Sequence, residues 1–172
     1  MDTQKNSATA TFVPSQATKS DLTRLVEAIA TAHADDSMMN ALSPDQWDVI
    51  ASYLQPCALA QGQVLFSKGD MDRTLYFVES GGLSVHYEDS TGRLRLAIVG
   101  AGSVVGEGAF FSHRPRSASV QANGPSKLWS LSAMRFAELA NRQPAIALNL
   151  VMACGSVVAK RLGNRRRRIA TT

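Results

Sequence analysis

Glycines punctuate the middle of this chain at short intervals, and this rhythm constrains its fold more than any other feature. Between residues 56 and 131 they separate short apolar segments, each about as long as one β-strand. Short strands divided by glycine-containing turns predict an antiparallel β jelly-roll barrel. The fold class that we expect is therefore mainly β, with helices on both sides. From residue 62 to residue 106 these glycines are Gly62, Gly69, Gly81, Gly82, Gly92, Gly100, Gly102 and Gly106.

Two segments of this region alternate apolar and polar residues, as strands with one buried face do. The alternation predicts that the apolar residues of both segments point inward. It places His86, Arg93 and Arg95 on the outer face. The apolar residues are Leu83, Val85 and Tyr87 in the first segment, and Leu94, Leu96 and Ile98 in the second.

Amphipathic helices are predicted before and after the strands. Residues 21–34 carry an apolar stripe of Leu22, Leu25, Val26 and Ile29, with Ser20 or Asp21 as N-cap. Ser43 begins a capping box and a second helix that carries Trp47, Ile50 and Leu54 inward. After the strands, Ser132 and Pro144 begin two more helices, and Ala147, Leu150, Cys154 and Val157 are among the stripe residues of the second.

The domain organisation follows from these segments. We expect a disordered arm at residues 1–19, an N-terminal helical segment at 20–42, a main domain at 43–162 and a basic tail at 163–172. The arm is rich in small polar residues and has no periodicity.

Residues 105–122 combine a glycine turn, a short helix and a strand with an inward arginine. Gly106 to Gly108 permit a tight turn, and residues 109–111 can form one helical turn whose free N–H groups favour an anion. Pro115 ends that turn, and Arg116 then falls on the strand face of Ala118, Val120 and Ala122. Because an arginine on an inward face requires an anionic partner, the stretch predicts a pocket for one small anion.

This stretch resembles the phosphate-binding cassette of cyclic-nucleotide-binding domains. That cassette reads Gly-Glu, a short apolar helix, and then Arg-Ser/Thr/Ala-Ala about nine residues after the Glu, a spacing that Glu107 and Arg116 share. Residues 62–70, 75–81 and 100–107 resemble other segments of the same family, so the resemblance covers roughly residues 43–162. The family includes bacterial regulators of the CRP/FNR type, protein kinase A regulatory subunits and cyclic-nucleotide-gated channels.

The resemblance implies a sensor for a cyclic nucleotide, cAMP or cGMP, without a metal. It assigns the phosphate to Arg116, Ser117, Gly108 and Ala109, and the ribose to Glu107 and Gly106. It also implies that the C-terminal helices act as hinge and lid, that their movement carries the signal to a protein partner, and that the last helix forms a homodimer. The hinge and lid residues expected are Phe136, Cys154 and Val158, with base contacts around residues 154–159. Gly108 departs from the family, which usually has Leu or Ile there, so the short helix loses an apolar anchor.

Two other interpretations stay open at this point. In the first, the domain no longer binds a ligand, Glu107 and Arg116 form an internal ion pair, and the chain serves as a dimerisation or scaffold module. In the second, the basic tail is an adaptor for DNA, other nucleic acid or an acidic membrane. The formal charge of +4 is concentrated there, since residues 157–172 hold six basic residues and no acid. Arg165 to Arg168 could equally be solvated cations at a helix end.

Composition argues against an enzyme. The three histidines, His33, His86 and His113, form no His-x-His pair, and no nucleophile with its base is visible. Cys57 and Cys154 lie far apart, so we predict neither a disulfide framework nor a zinc site. No signal-peptide pattern begins the chain, and the longest apolar run, residues 145–154, is too short to cross a bilayer. We therefore expect a cytoplasmic protein.

Overall fold

The computed structural model describes residues 11–12 and 22–169, with side chains from Leu22 to Asn164. The helices are α1 Thr23–Thr31, α2 Pro44–Ala51, α3 Glu107–Ser112, α4 Ala133–Arg142 and α5 Pro144–Ile169. The strands are β1 Thr11–Phe12, β2 Gln55–Leu59, β3 Val64–Phe66, β4 Leu75–Ser80, β5 Gly82–Glu88, β6 Leu94–Gly100, β7 Val104–Val105, β8 Ala118–Ala122 and β9 Ser126–Leu131.

The strands form two antiparallel sheets, which confirms the predicted jelly roll with flanking helices. The five-stranded sheet has the order β1-β2-β9-β4-β7, and the four-stranded sheet has the order β3-β8-β5-β6. Among the described strands, hydrogen bonds do not join the two sheets into a closed barrel. β1 lies within the segment that was predicted to be disordered, where Thr11 and Phe12 pair with Ala58 and Cys57. The rest of that segment lies outside the described residues.

The five-stranded sheet is buried on both faces and separates two apolar cores. Tyr76 and Val78 of β4 point toward the four-stranded sheet, whereas Phe77 between them points toward the helices. There the ring of Trp47 meets Phe77 edge-on, with centroids 6.5 Å apart. Burying a side chain of this size contributes about 1.5–3 kcal/mol. The two cores are therefore joined through the alternating residues of one strand.

The predicted facing of β6 is wrong. Val99 pairs with Leu83 and Ala97 with Val85, so these residues share the face that points into the domain. Leu94, Leu96 and Ile98 lie on the other face and are 56–72% exposed. The five-residue turn between Glu88 and Leu94 sets this register, and a register shifted by one residue reverses the facing of the whole strand. Arg95 consequently lies on the inner side of the sheet plane, not the outer one, and reaches Asp89 at 2.8 Å.

The flanking helices follow the predicted capping at most of their ends. Ser43 forms the predicted capping box with Gln46, and the hydroxyl of Ser132 accepts a hydrogen bond from the N–H of Arg135. α1 is shorter than predicted, and Leu22 occupies its N-cap position without a side-chain cap. Its apolar stripe is nevertheless buried as predicted, with Leu25 and Ile29 at 0% and 4% exposure.

α5 is longer than the predicted lid helix and continues through the basic residues to Ile169. Its buried side includes Leu150, Cys154 and Val157, whereas Leu148 and Met152 are 60% exposed. By length and composition alone, residues 144–164 could cross a membrane, which the short apolar run in the sequence did not indicate. A core helix of a globular protein meets the same criterion, so length and composition do not distinguish a membrane-spanning α5 from a core helix.

Candidate functional site

The short helix α3 begins at a glycine that no other residue could replace without strain. Gly106 has φ +88°, and a Cβ there would lie 2.6 Å from Nη1 of Arg116 and 2.7 Å from the carbonyl oxygen of Thr74. The first backbone hydrogen bond of α3 runs from the N–H of Phe110 to the carbonyl of Gly106. The N–H groups of residues 107–109 therefore have no partner within the helix. They form the polar end of α3, next to Arg116.

Arg116 is a buried arginine, only 2% exposed, and it lies two residues before β8, next to the start of α3. Its Nε and Nη2 contact the carboxylate of Asp72 at 2.7–2.9 Å, Nη2 reaches the carbonyl of Thr74 at 2.8 Å, and Nη1 reaches that of Gly106 at 3.1 Å. Its guanidinium carbon lies 4.0 Å from the centre of the Phe66 ring. Four of its five N–H groups are thereby engaged, and the fifth is on Nη1.

Asp72 was not identified from the sequence, although it fixes the orientation of Arg116. Partial burial raises the pKa of its carboxyl group, but hydrogen bonds from Arg116 and Thr74 and the charge of Arg116 outweigh burial and lower that pKa overall. The Asp72 side chain is 43% exposed at the rim of the domain. Arg116 is thus a preoriented cation whose own countercharge comes from the loop before β4.

Glu107 and Arg116 do not form the internal ion pair that one interpretation of the sequence proposed. The carboxylate of Glu107 instead accepts a hydrogen bond from Nη1 of Arg161, on α5, at 2.6 Å. Arg161 also contacts Asp36, from the loop between α1 and α2, with Nε and Nη2 at 3.0 and 2.9 Å from Oδ2. Burial lowers the pKa of Arg161, but the charges of Glu107 and Asp36 together raise it above its ordinary value.

A cavity of about 530 Å³ lies between α3, the inner face of the four-stranded sheet and the last turns of α5. Its size suits one small organic ligand. All six residues that were predicted to contact phosphate or ribose line it, namely Gly106, Glu107, Gly108, Ala109, Arg116 and Ser117. The cavity is therefore lined by the guanidinium of Arg116 and by a second group, in which Glu107 and Asp36 share Arg161.

The predicted hinge and lid residues lie behind this cavity. Phe136 of α4 packs edge-to-face on Phe110 of α3, with ring centroids 5.3 Å apart. Cys154 is buried in the helical core, and burial together with the charge of Glu107 raises the pKa of its thiol to about 12. Val158 is half-buried one turn further along α5. From α5, the residues that line the cavity are Arg161 and Asn164, beyond the range 154–159 expected for base contacts.

The sequence contained a signal that would have identified Arg161. Arg161 follows Cys154 and Val157 at helical spacing on the buried stripe of α5, so an inward arginine requires an anionic partner there just as it does at Arg116. Asp72 and Asp36 had no such signal, because each lies in a polar loop and only the tertiary fold brings it to an arginine.

Across the described residues, no group of three or more His, Cys, Asp or Glu side chains is arranged to hold a metal ion. His113 contacts Nη2 of Arg73 through Nε2 at 2.9 Å on the far side of α3, and His86 lies on β5.

A jelly roll in which a glycine-started helix and a buried arginine share one cavity defines a class of ligand-binding domain. The sequence model of the cyclic nucleotide-binding domain matches residues 56–143, about half of the chain, and the chain belongs to this family.

Individual relatives agree with this assignment. The chain is 32% identical to the cyclic AMP receptor protein of Thermus thermophilus over 126 residues, which are 73% of this chain and 56% of that protein. It is 32% identical to the cAMP-dependent protein kinase type II regulatory subunit of Drosophila melanogaster over 87 residues, 51% of this chain and 23% of that subunit. A cyclic nucleotide-binding domain from Methylobacillus flagellatus shares the fold, with a TM-score of 0.78 at 21% identity over 93% of this chain and 88% of that one.

The chain spans just over half the length of the Thermus receptor and about a quarter of the kinase subunit. The similarity therefore concerns the domain that these proteins share with this chain.

Proposed function

We propose that this chain is a regulatory domain that binds a cyclic mononucleotide, cAMP or cGMP, and signals through the position of α5. The observation that carries the proposal is the cavity that both Arg116 and Glu107 line. Such a ligand carries one anionic phosphate and one free ribose hydroxyl, and the cavity offers a guanidinium for the first and a carboxylate for the second.

The phosphate belongs beside Arg116. The fifth N–H of Arg116, the N–H groups at the start of α3 and the exposed hydroxyl of Ser117 can all donate to it. Because Asp72 already engages two nitrogens of Arg116, the arginine contributes one direct N–H and its charge. The backbone N–H groups of Gly108 and Ala109 then supply the remaining donors.

The base would extend from the ribose toward α5, where Asn164 lines the cavity. An asparagine amide can donate and accept at once, a combination that suits the edge of adenine. The names of the Thermus and Drosophila relatives also refer to cAMP. We therefore propose cAMP as the ligand to test first, with cGMP beside it.

Signalling requires only that the ligand bind one position of α5 better than another. In this structure Arg161 already joins α5 to Glu107, the residue assigned to the ribose. A nucleotide between α3 and α5 would add contacts to this position and increase its population. Phe110 and Phe136 would carry the change from α3 to α4. In this proposal the domain regulates a protein partner and catalyses no reaction.

We also propose a homodimer through α5. Its outward residues recur at alternating spacings of four and three, the pattern of a coiled-coil seam. These residues are Leu148, Met152, Gly155, Ala159 and Leu162. Sedimentation equilibrium tests the proposal, because Met152→Glu should dissociate a dimer, whereas Met134→Glu, at an 80% exposed position on α4, should leave it intact. A monomeric unmodified chain would contradict the dimer.

We also propose a cytoplasmic location, in which α5 belongs to a globular domain and does not cross a membrane. If α5 crossed a membrane, Arg161 would have to leave Asp36 and Glu107, and its charge and that of Lys160 would enter or border the hydrocarbon region at a cost of several kcal/mol. The contacts of α5 with the domain therefore support a helix of a globular protein.

Calorimetric titration of the purified chain with cAMP and cGMP tests the main proposal. We expect saturable binding that Arg116→Ala abolishes and that Arg93→Ala, an exposed arginine in the β5–β6 turn, preserves. Because Arg116→Ala also frees the buried contacts of Arg116, Ser117→Ala serves as a milder variant, with affinity lowered about 3- to 10-fold. No binding of either nucleotide by a folded chain would favour the scaffold interpretation instead.

A further inference from the structure

We infer that Asp36 is a positioning residue for ribose recognition, which it performs by fixing Arg161 beside Glu107. The inference rests on the proposed function and adds to it a residue from the segment before the domain. Asp36 lies outside the matched residues 56–143, on the loop between α1 and α2.

The hydrogen bonds of Arg161 leave one N–H in a defined place. Nε and one N–H of Nη2 point to Asp36, while the other N–H of Nη2 is shared between the hydroxyl of Ser103 at 3.2 Å and the carbonyl of Val104 at 2.9 Å. Nη1 uses one N–H on Glu107. A guanidinium has five N–H groups, so the remaining one is on Nη1, next to the carboxylate of Glu107.

Glu107 supplies the complementary acceptor. Its Oε1 receives Arg161, and its Oε2 accepts no hydrogen bond from any of the described residues. The pair thus offers one acceptor and one donor side by side at the edge of the cavity. A hydroxyl group donates and accepts at once, so it fits both partners. Two carboxylates sharing one guanidinium also leave a negative charge here, which directs a phosphate to Arg116 and favours a neutral hydroxyl.

The loop that carries Asp36 is fixed on three sides. The N–H of Met38 donates to the carbonyl of Gly102 at 2.9 Å, the hydroxyl of Ser103 donates to the carbonyl of Asp36 at 2.8 Å, and Nζ of Lys160 donates to the carbonyl of Ser37 at 2.9 Å. The Asp36 carboxylate is therefore held in place by backbone contacts. Without this carboxylate, Arg161 loses the hydrogen bonds from its Nε and from one N–H of its Nη2. Its long side chain then regains rotamer freedom.

The experiment compares cAMP with 2′-deoxy-cAMP, which lacks the hydroxyl in question, by calorimetry on the full chain. We expect the unmodified chain to prefer cAMP by about tenfold or more, the size typical of a hydrogen bond to a charged group. Asp36→Asn should reduce this preference to about twofold or less while binding of the deoxy compound changes little. Arg161→Gln should do the same, and the double variant should add nothing further, since both residues act on one contact.

Asp35→Asn is the matched control. It removes the same charge one residue away, at a residue that also lines the cavity but forms no hydrogen bond or ion pair with the rest of the described chain. It should shift both affinities together and leave their ratio intact. If Asp36→Asn weakens both ligands equally, Asp36 has only a structural role and the inference is wrong. If the unmodified chain binds neither nucleotide, the proposed function fails and this inference with it, a result distinct from binding without a change of ratio.

Discussion

Arg116 and Arg161 show how the same residue type is accommodated twice within one site. Each is an arginine removed from most of the solvent, and each is compensated by a carboxylate from a loop distant in sequence, Asp72 or Asp36. Unpaired, either charge would cost several kcal/mol. The difference lies in the second partner, because Arg161 also binds Glu107 whereas Arg116 binds only backbone carbonyls besides Asp72. The guanidinium of Arg116 therefore retains more of its positive field than that of Arg161.

Gly106 and Gly108 form a matched pair for testing the start of α3. Gly106→Ala should cost about 1–3 kcal/mol, because it forces a Cβ into a left-handed residue and against Arg116. Gly108→Ala should be neutral or stabilising by up to about 1 kcal/mol, since its Cβ would lie 3.8 Å from the Ser117 hydroxyl and alanine favours a helix. Urea unfolding of both variants gives the comparison, and equal destabilisation would contradict it.

Cys154 should make the protein less stable at alkaline pH. Burial, with the charge of Glu107, raises the pKa of the Cys154 thiol from 9.0 to about 12, so the unfolded state loses the proton first as pH rises above 9. The free energy of unfolding should therefore fall as pH rises from about 9 toward 12. Urea unfolding at about pH 7 and about pH 10.5 measures the decline, and Cys154→Ala should make it shallower. An unchanged decline would show that the thiol does not contribute.

At the residue scale, the sequence predicts which side chain needs an ionic partner better than it predicts which residue supplies that partner. The inward facing of Arg116 follows from a strand of alternating residues, and its demand for an anion follows from burial. Its actual countercharge, Asp72, lies 44 residues earlier in the chain. No local pattern indicates that separation, because it depends on how β4 and β8 are placed in different sheets.

Among the elements, β6 is an edge strand of the four-stranded sheet and carries an exposed apolar row. The sequence predicts its existence and length from alternation. The two possible facings are equally compatible with a Leu-Arg-Leu-Ala-Ile-Val run that has apolar residues on both faces. The turn at residues 89–93 decides between them. Asp89 receives hydrogen bonds from the backbone N–H groups of Thr91 and Arg93, and Gly92 adopts φ +77°.

The facing of β6 can be tested with two neighbouring alanine substitutions. Val99→Ala should lower the free energy of unfolding by about 1.5–3 kcal/mol, because Val99 is 3% exposed in the core between the sheets. Ile98→Ala should change it by less than about 0.5 kcal/mol, because Ile98 is 60% exposed. Thermal melts of the two variants distinguish the facings, and the reverse order would restore the one predicted from sequence.

Helices were easier to predict than strands because their ends carry explicit signals. Ser43, Pro44 and Gln46 specify the start of α2, and Ser132 specifies that of α4. α1 lacks such a side-chain cap, and its start is where the prediction was least accurate. The end of α5 was predicted too early. Gly163 follows Leu162 but lies within the helix, and no proline follows that would stop it before Ile169.

For the whole molecule, the proposed ligand should act as a stabiliser that joins separate layers. A nucleotide at a hundred times its dissociation constant adds about 2.7 kcal/mol to the free energy of unfolding. For a domain of this size that corresponds to a rise in Tm of roughly 6–10 °C. Differential scanning calorimetry with and without cAMP measures it, and adenosine, which lacks the phosphate, should have little effect. A comparable rise with adenosine would mean that Arg116 does not receive the phosphate.

The loop before β7 touches α1 at a point where only small residues fit. A Cβ on Gly102 would lie 2.5 Å from both the carbonyl oxygen of Ala28 and the Cβ of Ala32. Positions 32 and 102 therefore cannot enlarge independently. During divergence, a bulkier residue at 32 or 102 would push α1 away from this loop, and with it the Met38 contact to Gly102. Descendants of this chain that keep Asp36 in register with Arg161 should thus retain small residues at both positions, whereas those free to vary there should have lost that acidic residue as well.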